Sequence, residues 1–89
     1  MYGIIFTETA REDVRKLRNE PQAFAKLGKL LAELEIHPFT GTGKPKPLRG
    51  DRAGQWSRRI TDKHRLIYEV NDKVVEVLVV STYGHYDDK

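Results

Sequence analysis

The chain of 89 residues carries 16 Lys and Arg against 13 Asp and Glu, a formal net charge of +3. This length predicts one domain over residues 1–89, too small for a deep substrate cavity beside a regulatory domain, so a shallow surface site fits better. The absence of cysteine excludes a disulfide framework. Because the longest apolar run, Val77 to Val80, cannot span a bilayer and no signal peptide is present, we expect a cytoplasmic protein.

The N-terminal half predicts one strand and two helices. Residues 2–7 are short and apolar, and Thr9-Ala10-Arg11-Glu12 matches a capping box, so a helix is expected to begin at Thr9. Pro21 suits the first turn of a second helix, which ends before Pro38. The spacing of apolar residues predicts that this helix buries Phe24, Leu27, Leu31 and Leu34.

The second half predicts a loop followed by a sheet. Residues 38–54 contain every remaining proline and most of the glycines, which is typical of one long loop. Three strands follow at about 55–60, 64–70 and 74–82. The order β-α-α-β-β-β favours an α+β fold, with an antiparallel sheet and the two N-terminal helices packed on one face.

Positive charge is concentrated in one part of the chain. Between Lys44 and Arg65 there are eight Lys and Arg but only two acids, Asp51 and Asp62. Such a block favours a polyanion partner, of which nucleic acid is the commonest. A solvated basic surface explains the charge equally well, so composition alone leaves both interpretations open.

A predicted hairpin brings two arginines together. If residues 61–63 form a three-residue turn, Arg59 faces Arg65 on the sheet face opposite the apolar core. Directly opposed like charges destabilise a strand pair by up to roughly 1 kcal/mol, whereas a phosphate between the two guanidiniums makes the pair attractive. Alternatively, both side chains extend into water, or one pairs with Glu69 or Glu76. A two-residue turn would separate the arginines altogether.

The C-terminal segment is unusual for a chain end, because it carries two tyrosines and a histidine beside Gly84. His85 is a candidate proton donor or acceptor, and Tyr83 or Tyr86 could stack on a base. The alternative is that the tyrosines cover a sheet edge while the histidine lies in water. The three histidines lack ligand spacing and Gly41-Thr42-Gly43-Lys44 lacks the spacing of a nucleotide loop, so neither a metal nor a cofactor is predicted.

Three segments carry a specific combination of motifs: a proline–glycine loop over residues 37–48, a hairpin containing Trp56-Ser57-Arg58-Arg59-Ile60 and His64-Arg65-Leu66, and Gly84-His85-Tyr86. Over about the last fifty residues the chain thereby resembles the YoeB/Txe toxins of the RelE superfamily. The resemblance implies a RelE-like fold and a type II toxin–antitoxin toxin that cleaves mRNA in the ribosomal A site and inhibits translation. The partners it implies are a YefM-like antitoxin, the 70S ribosome and mRNA; whether the free toxin forms a homodimer stays open.

The resemblance also implies a chemistry without metal or cofactor. The ribose 2′-hydroxyl attacks the adjacent phosphate, which requires a base, a cationic clamp and an acid for the leaving oxygen. By position in the motifs, Arg65 matches the phosphate-stabilising arginine and His85 the general acid, while Arg59 and Tyr86 match supporting residues. The predicted RNA- and phosphate-binding set is completed by Arg58, Lys44 and Lys63.

One position departs from the family pattern. The family loop normally reads Gly-Lys-Pro-Glu-Pro-Leu and its glutamate is the expected base, but Lys46 stands there. Lys46 could be the base, as lysines are in more distant RelE relatives, because neighbouring arginines favour its neutral form. It could instead only bind phosphate, with Asp51 as one carboxylate to test as the base, or the enzyme could be weak. The alternative functions are a non-catalytic RNA- or ribosome-binding module and an antitoxin-binding protein on the same fold.

Overall fold

The computed structural model describes residues 1–84, and this part of the chain forms five strands, two α-helices and one 3-10 turn. In chain order these elements are β1 Gly3–Phe6, α1 Glu8–Leu17, α2 Pro21–Leu34, β2 Lys46–Pro47, the 3-10 turn Gly50–Arg52, β3 Trp56–Arg59, β4 Arg65–Asn71 and β5 Glu76–Ser81. His85 and Tyr86, two of the predicted site residues, lie outside the described residues.

The strands form one sheet in the order β1-β5-β4-β3-β2. Neighbours β2–β3, β3–β4 and β4–β5 are antiparallel, as predicted, but β1 runs parallel to β5. The sheet is therefore mixed rather than wholly antiparallel. No turn joins β1 to β5, so hairpin geometry does not fix their relative direction, and both helices and the other strands lie between them in the chain.

The N-cap of the first helix lies two residues earlier than the sequence predicts. Thr7, and not Thr9, is the N-cap: its hydroxyl accepts a hydrogen bond from the Ala10 amide at 3.0 Å. The same hydroxyl donates to the Val80 carbonyl at 2.8 Å, so it joins the helix start to β5. This second contact comes from a strand far along the chain, which explains why the local sequence pattern predicted Thr9 instead of Thr7 as the N-cap.

The core lies between the helices and one face of the sheet. On α2 the structure buries Leu27 and Leu34 as predicted, and Pro21 occupies the first turn. Phe24, however, is 39% exposed, because the helix turns Leu30 rather than Phe24 toward the sheet. Within residues 1–84, the buried side chains of this core are Ala10, Leu17, Ala23, Leu27, Leu30, Leu34, Ile60, Leu66, Tyr68, Val77 and Val79.

The long loop contains more structure than its composition predicts. Lys46–Pro47 forms the short edge strand β2, which pairs with β3 through Lys46–Ser57 and Pro47–Trp56. A proline is tolerated there because an edge strand leaves one side of its backbone without a ladder partner. Among residues 1–84, neither helix has the length and apolar character needed to cross a bilayer.

Candidate functional site

The β3–β4 hairpin has the predicted geometry. Arg59 is paired with Arg65, and the Ile60 amide donates to the His64 carbonyl at 3.1 Å across the three-residue turn. Side chains alternate along a strand, and Leu66 faces the core, so Arg59 and Arg65 project from the face that the helices leave open. The prediction that the two arginines share this face is confirmed.

The two arginines differ in how firmly they are held. Arg65 Nη1 donates to the turn carbonyls of Thr61 at 2.6 Å and His64 at 3.1 Å, so one end of its guanidinium is fixed beside the turn. Those carbonyl oxygens also offset part of the repulsion from Arg59. Arg59 is half exposed, and its contact with Asp62 is a long 3.7 Å to a carboxylate that is 96% exposed. Such a surface pair contributes little, so a phosphate can displace it.

Lys46 lies on the same face as the two arginines. It pairs with Ser57, two residues before Arg59, so Lys46 and Arg59 are diagonal neighbours on adjacent strands. The Cα atoms of such neighbours are roughly 7–8 Å apart. Ser57 and Ile67, which pair across β3 and β4, are each 2% exposed and lie between Lys46 and the arginines in the register of the sheet. The structure therefore brings three predicted site residues to one patch, which we call the open-face cationic patch: Lys46, Arg59 and Arg65.

The remaining predicted lysines lie at the margins of this patch. Lys44 is exposed directly after Gly43, whose carbonyl accepts the Arg59 amide at 2.7 Å. Lys63 is exposed in the hairpin turn. Asp51, the carboxylate suggested as another base, is exposed on the 3-10 turn that follows β2.

Arg58 does not fit its predicted role as a phosphate ligand. It is 0% exposed and lies on the core side of β3. All five of its guanidinium N–H groups have partners: Nε donates to the Tyr68 hydroxyl, Nη1 to Glu33 and Thr42, and Nη2 to two loop carbonyls. Arg58 is therefore removed from the phosphate-binding set. Strand alternation, which puts its neighbour Arg59 on the open face, is the signal that could have separated them.

Arg58 and Glu33 instead form a buried scaffold for the proline–glycine loop. Glu33 accepts hydrogen bonds from the Thr42 amide at 2.8 Å and the Thr42 hydroxyl at 2.5 Å, and from Arg58 at 3.0 Å. The Thr42 hydrogen bonds, with help from the charge of Arg58, lower the pKa of Glu33. Gly41 has a φ of +122°, and a Cβ there would lie 2.5 Å from a Glu33 carboxylate oxygen. Sequence motifs alone do not reveal this scaffold, because Glu33 lies in α2 and not in the loop motif.

The chain leaves β5 close to the open-face cationic patch. The Thr82 amide donates to the buried carboxylate of Asp13 at 3.0 Å. Two residues later, the Gly84 amide donates to His64 Nδ1 at 2.8 Å, and the Gly84 carbonyl accepts the Arg65 amide at 3.0 Å. The residue that precedes His85 is thus held against the β3–β4 hairpin.

Two further predictions concern Tyr83 and metal binding. The Tyr83 ring packs on the imidazole of His64, with ring centroids 4.4 Å apart, and is 42% exposed. Tyr83 therefore covers the hairpin rather than a bare sheet edge. Within residues 1–84 no group of His, Asp and Glu has the arrangement of a metal site.

A second surface lies between the two helices. Its apolar floor includes Phe24 and Leu31, the residues that α2 turns away from the centre of the core. Arginines of α1 and of the turn that follows line this groove: Arg11, Arg15 and Arg18. We call it the helical groove; it combines apolar surface with positive charge and lies on the opposite side of the sheet from the open-face cationic patch.

Solved structures with this architecture define the class of protein. The YoeB/ParE toxin from Agrobacterium tumefaciens superposes with a TM-score of 0.88 at 35% identity, covering 94% of this chain and 99% of that chain. The toxin–antitoxin complex RelBE2 from Mycobacterium tuberculosis gives 0.75 at 30% identity, with 94% and 98% covered. The fold is therefore the RelE-like fold of toxin–antitoxin toxins, which confirms the predicted fold class.

Two structures from Staphylococcus aureus record assemblies of such toxins. The YoeB-YefM complex has a TM-score of 0.82 at 32% identity and covers 97% of this chain and 99% of that chain. A YoeB dimer has the same TM-score of 0.82 at 32% identity, with 96% and 98% covered. These toxins thus bind a YefM protein in one structure and a second copy in the other.

Sequence comparison defines the family within that class. Residues 6–86 match the family described as the YoeB-like toxin of bacterial type II toxin-antitoxin system. Toxin YoeB of Streptomyces coelicolor is 39% identical over 84 residues, covering 93% of this chain and 98% of the relative. Toxin RelK of Mycobacterium tuberculosis is 44% identical over 87 residues, covering 97% and 100%. The chain belongs to the YoeB family of type II toxins.

Proposed function

We propose that this toxin is a ribosome-dependent endoribonuclease that cleaves mRNA in the ribosomal A site and so inhibits translation. The observation that carries the proposal is the open-face cationic patch, in which Arg59 and Arg65 oppose each other directly with Lys46 on the same face. Two guanidiniums on directly paired residues of one sheet face can bind one phosphodiester from two sides. A small domain whose cationic side chains share one sheet face suits a substrate presented by a larger body, and a ribosomal substrate implies action in the cytoplasm.

The proposed reaction transfers the phosphoryl group within the RNA strand. A base removes the proton from a ribose 2′-hydroxyl, and the 2′-oxygen forms a bond to the adjacent phosphorus. The bond from phosphorus to the 5′-oxygen then breaks, and an acid donates a proton to that oxygen. The products are a 2′,3′-cyclic phosphate and a free 5′-hydroxyl, so atoms and charge balance without a metal or cofactor.

Each proposed role follows from charge and position. Arg65 is assigned to the negative charge that develops on the phosphate, because its guanidinium is already fixed by turn carbonyls and loses little freedom on binding. Arg59 is assigned to phosphate binding from the opposing strand, with Lys44 and Lys63 at the margins. His85 is the proposed acid and Tyr86 a supporting residue, both following Gly84 in the chain.

The base is the role with two candidates. Lys46 occupies the position of the family glutamate and shares the open face with the arginines, so it is our first candidate. Asp51 is the second, because it is the carboxylate of the 3-10 turn directly after β2. Ribosomes programmed with mRNA and carrying the wild type, Lys46→Ala or Lys46→Glu distinguish them in a toeprinting assay. Cleavage lost in the alanine variant and retained in the glutamate variant supports Lys46; undiminished cleavage in the alanine variant excludes it.

The same assay tests the proposed function as a whole. We expect wild-type toxin to give a new toeprint at the A site, and Arg65→Ala or His85→Ala to abolish it while ribosome binding survives. His37→Ala, which changes an exposed histidine outside the patch, is the matched control. The presence of Lys46 in place of the glutamate that the family uses as a base also supports a second candidate function, a non-catalytic ribosome-binding module. In that case the wild type binds ribosomes and arrests growth without any cleavage.

We also propose that a YefM-like antitoxin neutralises this toxin, by analogy with the S. aureus complex. The helical groove suits an acidic amphipathic segment, which would place apolar side chains on Phe24 and Leu31 and carboxylates beside the groove arginines. Charge reversal, as in Arg15→Glu, should weaken antitoxin binding in calorimetry without changing cleavage. Sedimentation of the free toxin tests self-association, for which the S. aureus dimer is the precedent.

A further inference from the structure

We infer that His64 is a positioning residue for the reaction: its imidazole fixes the backbone of Gly84 and thereby sets where His85 meets the RNA. The inference rests on the proposed function, because it assigns to His64 the placement of the proposed acid. His64 itself lies on the core side of the hairpin and is 3% exposed, so it does not contact RNA.

The hydrogen bonds of His64 require one tautomer. The Gly84 amide can only donate, so Nδ1, which lies 2.8 Å from it, carries no proton. Nε2 lies 3.0 and 3.1 Å from the two carboxylate oxygens of Glu20, which accept a hydrogen bond, so the proton is on Nε2. Glu20 therefore holds the imidazole in the tautomer that can accept from the Gly84 amide, as carboxylates commonly orient functional histidines.

Gly84 is held at both of its backbone polar groups by neighbouring residues of the hairpin. Its amide is bound by His64 and its carbonyl by the Arg65 amide at 3.0 Å. Because Arg65 is the proposed phosphate ligand and Gly84 directly precedes His85 in the chain, this clamp of Gly84 joins the backbone before the proposed acid to the strand that carries the proposed phosphate ligand. Gly84 has a φ of +77°, a conformation that glycine adopts without strain.

The rest of the tail has attachments that do not depend on the imidazole nitrogens. The Thr82 amide is bound by Asp13, and the Tyr83 ring is also approached by Lys16 Nζ, 5.2 Å from its centroid. Loss of the His64 acceptor should therefore free the Gly84 amide, while the Gly84 carbonyl stays bound by the Arg65 amide and Thr82 stays docked. Such a local change should alter the position of the proposed acid relative to the RNA without unfolding the domain. A misplacement of a catalytic group by about 1 Å can lower the rate about 100-fold.

Two substitutions of His64 separate its acceptor from its bulk. His64→Asn keeps a carbonyl oxygen near the position of Nδ1, whereas His64→Leu keeps similar bulk without any acceptor. We expect His64→Leu to lower kcat for ribosome-dependent cleavage about 100-fold, with KM for programmed ribosomes within about 3-fold of wild type. The kcat of His64→Asn should be at least about ten-fold higher than that of His64→Leu. His37→Leu, at an exposed histidine, is the matched control and should retain wild-type kcat.

The clamp has a readout that is independent of cleavage. In the wild type, nitrogen NMR should show a bare Nδ1 and a protonated Nε2 for His64, and the Gly84 amide should be protected from hydrogen exchange. His64→Leu should abolish the protection of Gly84 and leave that of Thr82. These measurements stand even if the wild type proves unable to cleave RNA, so failure of the proposed function and failure of the clamp are distinguishable.

A second variant tests the clamp from the tail side, in case changes at the buried histidine impair folding. Gly84→Ala has open space for its Cβ but strains the backbone, because φ is +77°. Gly54→Ala, with open space and a φ of +94°, is the matched strain control. We expect the Gly84 variant to lose about ten-fold or more in kcat and the Gly54 variant to retain it. Wild-type kcat in folded His64→Leu or in Gly84→Ala, or a Gly84 amide still protected in His64→Leu, would overturn the inference.

Discussion

The adjacent arginines of β3 offer the sharpest test of how this structure divides its charges. Arg58 is completely buried with all five donors paired, and Arg59 is half exposed on the open face. Replacing each by methionine removes one charge at neighbouring positions of the same strand. We expect Arg58→Met to lower the free energy of unfolding, and Arg59→Met to impair RNA cleavage without changing stability.

The expected loss for Arg58→Met follows from the groups that it leaves behind. Removal of one member of a buried ion pair costs about 3–5 kcal/mol, because the remaining charge loses its compensation. Here Glu33 is 26% exposed and keeps both Thr42 hydrogen bonds, which favours the lower end of that range. Three loop carbonyls and the Tyr68 hydroxyl also lose a donor, which acts in the opposite direction. We therefore expect a loss of about 3–4 kcal/mol in the free energy of unfolding.

For Arg59→Met the same reasoning gives almost no change. Its ion pair with Asp62 is long and exposed, so its loss should alter the free energy of unfolding by less than about 0.5 kcal/mol. Relief of repulsion from Arg65 acts in the stabilising direction. Its effect should appear instead in cleavage, where one of two guanidiniums on the phosphate is missing.

Urea denaturation followed by fluorescence of the single tryptophan, Trp56, measures both free energies of unfolding. Trp56 packs on Phe39 with ring centroids 5.1 Å apart, so its emission also reports on the loop that Arg58 supports. A loss below about 1 kcal/mol for Arg58→Met would refute the buried scaffold. An equal loss in the two variants would refute the assignment of the arginines to opposite faces.

Three further perturbations test the scaffold and the helix start. Because loop hydrogen bonds lower the folded-state pKa of Glu33, its ionised form stabilises the fold above the usual pKa near 4.5, and this stabilisation is lost as the pH falls through the lowered pKa. Glu33→Gln should therefore flatten the decline in the free energy of unfolding below about pH 5 in urea titrations. Gly43→Ala should cost about 1–3 kcal/mol in the same assay, because φ is +87° and a Cβ would lie 2.9 Å from the Arg59 carbonyl. Thr7→Ala should lower the free energy of unfolding, measured by thermal denaturation, by about 1 kcal/mol, because it removes the N-cap. Thr9→Ala should lower it by less than about 0.5 kcal/mol. A larger loss for Thr9→Ala than for Thr7→Ala would identify Thr9 as the cap.

Much of the fold was predictable because its signals are local. The alternation of apolar residues fixed the core face of β3 and β4, and the turn length fixed the pairing of Arg59 with Arg65. The two helices were predicted from apolar spacing and Pro21. The same local logic failed for the cap at Thr7, whose hydroxyl also binds β5, and for β2, whose two residues pair only because β3 lies beside them.

The candidate site divides in the same way. Residue types and motif positions were sufficient to nominate Lys46, Arg59, Arg65 and His85 as chemistry-bearing groups. The different fates of Arg58 and Arg59, and the clamp of His64 on Gly84, depend on contacts between residues far apart in the chain. Sequence by itself determined which elements form and which charges are available, because propensity, alternation and turn chemistry act over a few residues. Only the tertiary structure decided which charges are buried and which face solvent, because burial depends on partners that packing supplies.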